Sequence, residues 1–196
     1  MLDILLETER LNLITLNEVN LKMMIDNKLS NYYKWFGDQE VTKYTSHGIF
    51  PKTDNEMKEY FNKYENDKNQ LIFMIIDKSN KQHIGIISLQ NINLINRNAE
   101  LAVMIGEKDY WNSGYCTEAC EVVLKHAFMR LNLHKVYLGT AESNIGMQKV
   151  AEKIRMKIKT YKTNHLFIDG KYEACYEYCI LQNDYLILRK NKNESN

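Results

Sequence analysis

The run Leu71-Ile72-Phe73-Met74-Ile75-Ile76 is the longest uninterrupted apolar stretch in the chain. It is far too short for a membrane helix, which needs roughly 18 or more apolar residues. With no polar residue at alternate positions, it reads as a strand buried on both faces. A polar turn, Lys78-Ser79-Asn80-Lys81-Gln82, follows at once, and a second apolar segment runs from Ile84 to Ile92. Two such segments across a short turn form an antiparallel hairpin. The chain must therefore build a sheet whose middle is covered on both sides.

The flanking segments extend that sheet. Residues 7–16 alternate at Leu11, Leu13 and Thr15, a strand pattern. Asn17 can cap a helix running to about Phe36, and Asp54, after Pro51, a second over 54–66. Another strand spans roughly Ala99 to Ile105. Helical period returns from Gly114 to Leu131, with Ala119, Val123, Ala127 and Leu131 on one stripe and Cys120, Leu124 and Phe128 beside it. A strand over His134–Thr140 and a short helix over Asn144–Arg155 follow. Two last strands, about 157–168 and 172–182, meet at Asp169-Gly170. The order β-α-α-β-β-β-α-β-α-β-β has few parallel crossovers, so it predicts an α/β domain with a mixed, largely antiparallel central sheet flanked by about four helices. One domain over 1–186 and a disordered tail over 187–196 are expected.

Charge narrows the function. Lys and Arg total 26 against 25 Asp and Glu, a net charge of +1, which argues against a dedicated nucleic-acid binder. The opening Met1-Leu2-Asp3-Ile4 has no basic segment of a secretory signal, and the chain reads as cytoplasmic, with no membrane partner. The cysteines form two C-x3-C pairs, Cys116/Cys120 and Cys175/Cys179, within a helical and a strand pattern. That suits reduced, packed thiols better than a zinc site, and no metal is expected.

The stretch Met104-Ile105-Gly106-Glu107-Lys108-Asp109-Tyr110-Trp111-Asn112-Ser113-Gly114-Tyr115-Cys116-Thr117-Glu118-Ala119 carries the chemistry. A strand runs into a small, polar loop and then a helix. A helix start offers unpaired N–H groups and the positive end of the dipole, and Gly114 lets an anion approach the backbone.

These residues and several ordered motifs resemble the GNAT acyl-CoA N-acyltransferases, in the branch of ribosomal-protein, spermidine and nucleotide-sugar N-acetyltransferases. The motifs are Glu7-Thr8-Glu9-Arg10-Leu11, Gly37-Asp38-Gln39-Glu40-Val41-Thr42-Lys43-Tyr44, Asn96-Arg97-Asn98-Ala99-Glu100-Leu101, Tyr110 through Ala119, Leu131-Asn132-Leu133-His134-Lys135-Val136 and Asp169-Gly170-Lys171-Tyr172. The resemblance implies a GNAT fold and acetyl-CoA as donor. It implies that the diphosphate of coenzyme A lies on the amides of Trp111, Asn112, Ser113, Gly114, Tyr115, Cys116 and Thr117. The loop departs from the family pattern: Asn112 and Ser113 stand where Gly and Lys are usual, and Cys116 replaces Gly or Ala. The pantetheine arm would pair along Val103, Met104 and Ile105, and Asn144 would touch it as well as cap a helix.

Amine attack on the thioester needs a donor for the oxyanion, here the backbone N–H of Met104 or Ile105, and a base. Glu100 is the candidate base. It shares a strand face with Ala102 and Met104, and half-burial would raise its pKa into a useful range. The alternative is a structural ion pair with Arg97 or a lysine. The usual family acid, a Tyr, is replaced by Ala151. Tyr44 and His47 fall where the family shapes its acceptor site. The acceptor expected is a small-molecule or peptide primary amine, first a nucleotide-linked amino sugar. Alternatives are a protein N-terminus, a polyamine, or a non-catalytic coenzyme A sensor. A polyamine site would want an acidic cleft, and no acidic cluster stands out in the sequence. A homodimer is compatible with such a chain.

Overall fold

In a computed structural model that describes residues 4–45 and 67–194, the apolar run lies at the heart of an eight-stranded sheet. The strands are β1 (Ile4–Glu7), β2 (Leu11–Thr15), β3 (Leu71–Asp77), β4 (His83–Asn93), β5 (Asn98–Ile105), β6 (Lys135–Ala141), β7 (Lys157–Ile168) and β8 (Lys171–Leu181). Their order across the sheet is β1-β2-β3-β4-β5-β6-β8-β7. Every neighbouring pair is antiparallel except β5 and β6. Among the described residues the helices are α1 (Glu18–Asp26), α2 (Tyr32–Phe36), α3 (Gln39–Thr42), α4 (Tyr115–Met129), α5 (Ile145–Lys153) and α6 (Gln182–Glu194). The helix expected over 54–66 lies outside the described residues, as does His47.

β3 shows why its sequence is continuously apolar. Phe73 and Ile75 face one core with Leu11, Leu13, Ile84, Ile87 and the α4 side chains Ala119, Val123, Leu124 and Phe128. Met74 and Ile76 face a second core with Leu21 and Met24 of α1 and Tyr32 and Trp35 of α2. The strand is thus sandwiched, as the absence of alternation requires.

Three readings are corrected. The single helix expected from Asn17 to Phe36 is two helices. Asn17 does cap α1, accepting from the Asn20 N–H at 2.7 Å. The chain then turns at Lys28, with φ 58°, so that Leu29 accepts from the His83 N–H at 2.7 Å and Ser30 bridges the start of β4. A tertiary contact outweighs local helical preference there. The strand read over 7–16 is a hairpin, with β1 added upstream. The expected tail is helical over most of its length. Gln182 starts α6 by donating its N–H to His134 O and its amide to Phe128 O, both at 2.9 Å, and Tyr185 packs on Phe128. No helix among the described residues is long and apolar enough to cross a membrane.

Candidate active site

The parallel pair β5/β6 is short: Asn98, Ala99 and Glu100 pair with Lys135, Val136 and Tyr137. Beyond Glu100 the two strands diverge, while β5 stays paired with β4 as far as Ile105. The sheet therefore forks at Glu100. Arg97 O accepts from His134 and Lys135 of the β6 side. Backbone polar groups alternate sides along a strand, so those of Leu101, Val103 and Ile105 face the open edge of the fork. The Ile105 carbonyl does so, accepting from Trp111 Nε1 at 2.8 Å. Met104 has the opposite phase and turns its N–H toward β4. The oxyanion donor expected at Met104 or Ile105 is thereby narrowed to the Ile105 side of the alternation. Side chains follow the same rule: Val103 and Ile105 pack on the α4 core, and Met104 on the α1–α2 core.

Glu100 is half-buried. Its partner is the Asn91 amide, donating at 3.1 Å. The alternative, an ion pair with Arg97 or a lysine, does not form among the described residues. That guanidinium bonds Asn132 O at 2.7 Å and Asn132 Oδ1 at 2.8 Å instead. Asn91 reaches Glu100 because β4 bulges between Gln90 and Asn93, with Asn91 at φ 51°. Such bulges re-aim side chains. Across the fork, Tyr137 faces Glu100. Burial first, then the charges of Glu100 and Glu177, holds its phenol above the usual range. Glu177, on β8, pairs with Lys162 at 3.2 Å. Tyr137 and Glu177 were not singled out in the sequence, where nothing links positions on β5, β6 and β8.

At the mouth of the fork, β5 runs through Gly106 and a 3-10 turn (Lys108–Tyr110) to α4. A Cβ at Gly106 would lie 2.0 Å from Trp35 Cδ2, so the loop can lie against that indole only as glycine. Glu107 accepts from Trp35 Nε1 and Asn31 Nδ2 at 2.9 and 3.0 Å. Lys108 pairs with Asp38 and Glu40 at 2.8 and 2.7 Å. Asn112 (φ 58°) and Gly114 (φ 85°) are both left-handed. Gly114 is the N-cap of α4, and no side chain caps that end. The first amides of α4, at Tyr115, Cys116 and Thr117, are therefore left for an anion. Cys116 is half-buried, and its hydrogen bond together with burial raises the Cys120 thiol well above its ordinary range.

Arg10 joins this loop from the turn between β1 and β2, a contact that spacing does not reveal. Its Nη1 donates to Ser113 O at 3.1 Å, its Nε and Nη2 both reach Glu118 Oε2 at 2.6 Å, and its guanidinium lies 4.1 Å from the Tyr115 ring centroid.

Other expected positions are more structural. Asn144 caps α5, accepting from the Met147 N–H at 3.1 Å. Ala151 is fully buried in the α4 core and faces no cleft. Tyr44 donates to Ser143 O at 3.2 Å, beside Asn144, and Lys43 pairs with Asp169 at 2.8 Å. The end of α3 is thus tied to the β6–α5 loop and the β7–β8 turn. His134 is exposed, as is His165, while His126 packs edge-on to Phe73. His83, for which the sequence suggested no partner, is fully buried between Ser30 and Gly85 O.

A sheet forked at its one parallel pair, with a free helix start at the mouth, is the architecture expected of an acyl-CoA N-acyltransferase. The chain belongs to the GNAT acetyltransferase family: residues 19–157 match the model of the GNAT acetyltransferase domain. It is 30% identical over 132 residues to the spermidine N(1)-acetyltransferase of Vibrio cholerae, covering 67% of this chain and 75% of that one. It is 25% identical over 140 residues to that of Escherichia coli, covering 71% and 74%. A putative ribosomal N-acetyltransferase of Bacillus subtilis is 29% identical over 101 residues, 52% of this chain and 55% of the relative. The Vibrio cholerae spermidine N-acetyltransferase solved with CoA and spermine superposes with a TM-score of 0.78 at 25% identity, over 91% of this chain and 99% of that one. The protein is an N-acetyltransferase, with acetyl-CoA as its acetyl donor. The relatives named here do not support the nucleotide-sugar acceptor expected first, and they do favour the polyamine alternative.

Proposed function

We propose that the protein transfers an acetyl group from acetyl-CoA to a primary amine of a polyamine of the spermidine class. The observation that carries this is the fork at Glu100, where a half-buried carboxylate stands beside Tyr137 at the last parallel pair and is bonded to the neutral Asn91 amide. A carboxylate at the point where the strands part, with no ion pair among the described residues, suits a cationic amine. The substrates in the names of the spermidine acetyltransferase relatives support the same class.

The diphosphate would rest on the amides of Trp111 to Thr117, and the pantetheine arm would run along the free edge of Val103 and Ile105. A polyamine amine, with a pKa near 10 like Lys, arrives as an ammonium. Glu100 accepts its proton, and the free amine attacks the thioester carbonyl carbon. The C–N bond forms, and a free N–H of the β5 edge stabilises the oxyanion. The C–S bond then breaks, the nitrogen gives its second proton to water, and the thiolate takes a proton from water, since Ala151 offers none.

Release of free CoA, followed with spermidine, spermine, N-terminal peptides and nucleotide-linked amino sugars, tests the acceptor. Spermidine or spermine should give a kcat/KM at least tenfold above the others. A peptide or sugar in first place overturns the polyamine reading, and tight CoA binding without turnover on any amine favours a sensor. Glu100→Gln should lower kcat/KM by roughly 10²–10⁴ while CoA affinity holds, with the loss shrinking as pH rises. Full activity in that variant removes Glu100 as the base.

A further inference from the structure

The loop that would carry the diphosphate brings no cation of its own. Trp111, Asn112, Ser113 and Gly114 are uncharged, and Lys108, just upstream, is committed to Asp38 and Glu40. Worse for an anion, Glu118 lies in the first turn of α4. A lone carboxylate there would repel a diphosphate across a few ångströms.

Arg10 addresses both problems. Glu118 is enclosed by donors: Thr8 Oγ1 and the Arg10 N–H on Oε1, Arg10 Nε and Nη2 on Oε2. Its charge is thus matched by a guanidinium in a two-pronged contact. The third nitrogen, Nη1, holds Ser113 O. In a trans peptide the C=O of one residue and the N–H of the next point in opposite directions. Pinning Ser113 O toward Arg10 therefore turns the Gly114 N–H away from the guanidinium. The Tyr115 ring under the guanidinium fixes the other side of the turn. A Cβ on Gly114 would sit 3.4 Å from Nη2, so the cation lies directly against the turn it shapes.

We propose that Arg10 is a positioning residue for the acetyl donor, holding the Ser113–Gly114 peptide in its anion-binding orientation and cancelling the Glu118 charge beside the diphosphate. This rests on reading Trp111–Thr117 as the diphosphate cradle. Lysine cannot replace it fully, because a single ammonium cannot grip Glu118 in two places and Ser113 in a third.

The test compares acetyl-CoA with S-acetylpantetheine, which keeps the thioester arm and lacks the diphosphate. The readout is the ratio of kcat/KM for the two donors. Wild type should favour acetyl-CoA strongly. Arg10→Ala should cut that ratio at least tenfold, chiefly through KM for acetyl-CoA. Arg10→Lys should cut it several-fold. Adding Glu118→Gln to Arg10→Ala should restore part of it, because the uncompensated charge is gone. A purely structural role would depress both donors together and leave the ratio unmoved. If wild type discriminates and the Arg10 variants keep its ratio, the proposal fails while the cradle stands. If wild type itself does not discriminate, the cradle assignment fails, and the proposal with it. Should Arg10→Ala not fold, Arg10→Lys decides by the same ratio.

Discussion

His83 shows how much one side chain can owe to its surroundings. Its Nε2–H donates to Gly85 O at 2.9 Å, so Nδ1 accepts from the Ser30 hydroxyl at 2.8 Å, and the ring stacks on Tyr32. Complete burial drives its pKa down to about 3 from an ordinary 6.5. The folded chain keeps this ring neutral where the unfolded chain would protonate it. Stability is therefore fully present above pH 6.5 and is lost as pH falls toward 3, at up to about 1.4 kcal/mol per pH unit from this group. Denaturant unfolding at pH 7, 6 and 5 should show that slope in wild type. In His83→Gln the slope should flatten by about that amount, although the variant is less stable at pH 7. His126, whose pKa burial and Arg130 also lower, adds a term of the same sign that cancels in the comparison. An unchanged slope in the variant would mean that His83 is not the group titrating.

The β5–α4 connection draws its shape from residues in left-handed conformations and from ties to three other elements. Gly114, at φ 85°, sits where a branched residue is strained and where a Cβ would lie 3.4 Å from Arg10 Nη2, so a bulkier side chain would displace the cation beside the turn. Ser113 contributes only a hydroxyl bond to Trp111 O at 3.1 Å, besides its backbone. Gly114→Val should accordingly weaken CoA binding at least tenfold by calorimetry, whereas Ser113→Ala should stay within about twofold. Equal affinities for the two would place the phosphates elsewhere.

The two parts of the sheet, β1–β5 and β6–β8, are joined through one short parallel pairing. A ligand lying in the fork would touch both, so acetyl-CoA should stabilise the folded chain as a unit. At 100 times the dissociation constant the gain approaches about 2.7 kcal/mol. A thermal melt with millimolar acetyl-CoA that does not move would remove the fork as the donor site.

Periodicity alone determined the sheet's middle, the α4 stripe and the final hairpin. Those segments bury faces whose spacing is written locally, as β3 and the stripe from Ala119 to Phe128 show. The motif resemblance supplied the family, the donor and the loop. It put first an acceptor that the relatives do not support, since an acceptor site is assembled from side chains on separate strands. What only the tertiary structure decided are the contacts between distant segments: Leu29 and Ser30 stopping a helix to meet β4, Asn91 turned by a bulge onto Glu100, Tyr137 opposite it, and Arg10 laid across the α4 turn. Each depends on strand order and register. Local sequence constrains these weakly, because the energy that selects them comes from burial and pairing between elements that fold together.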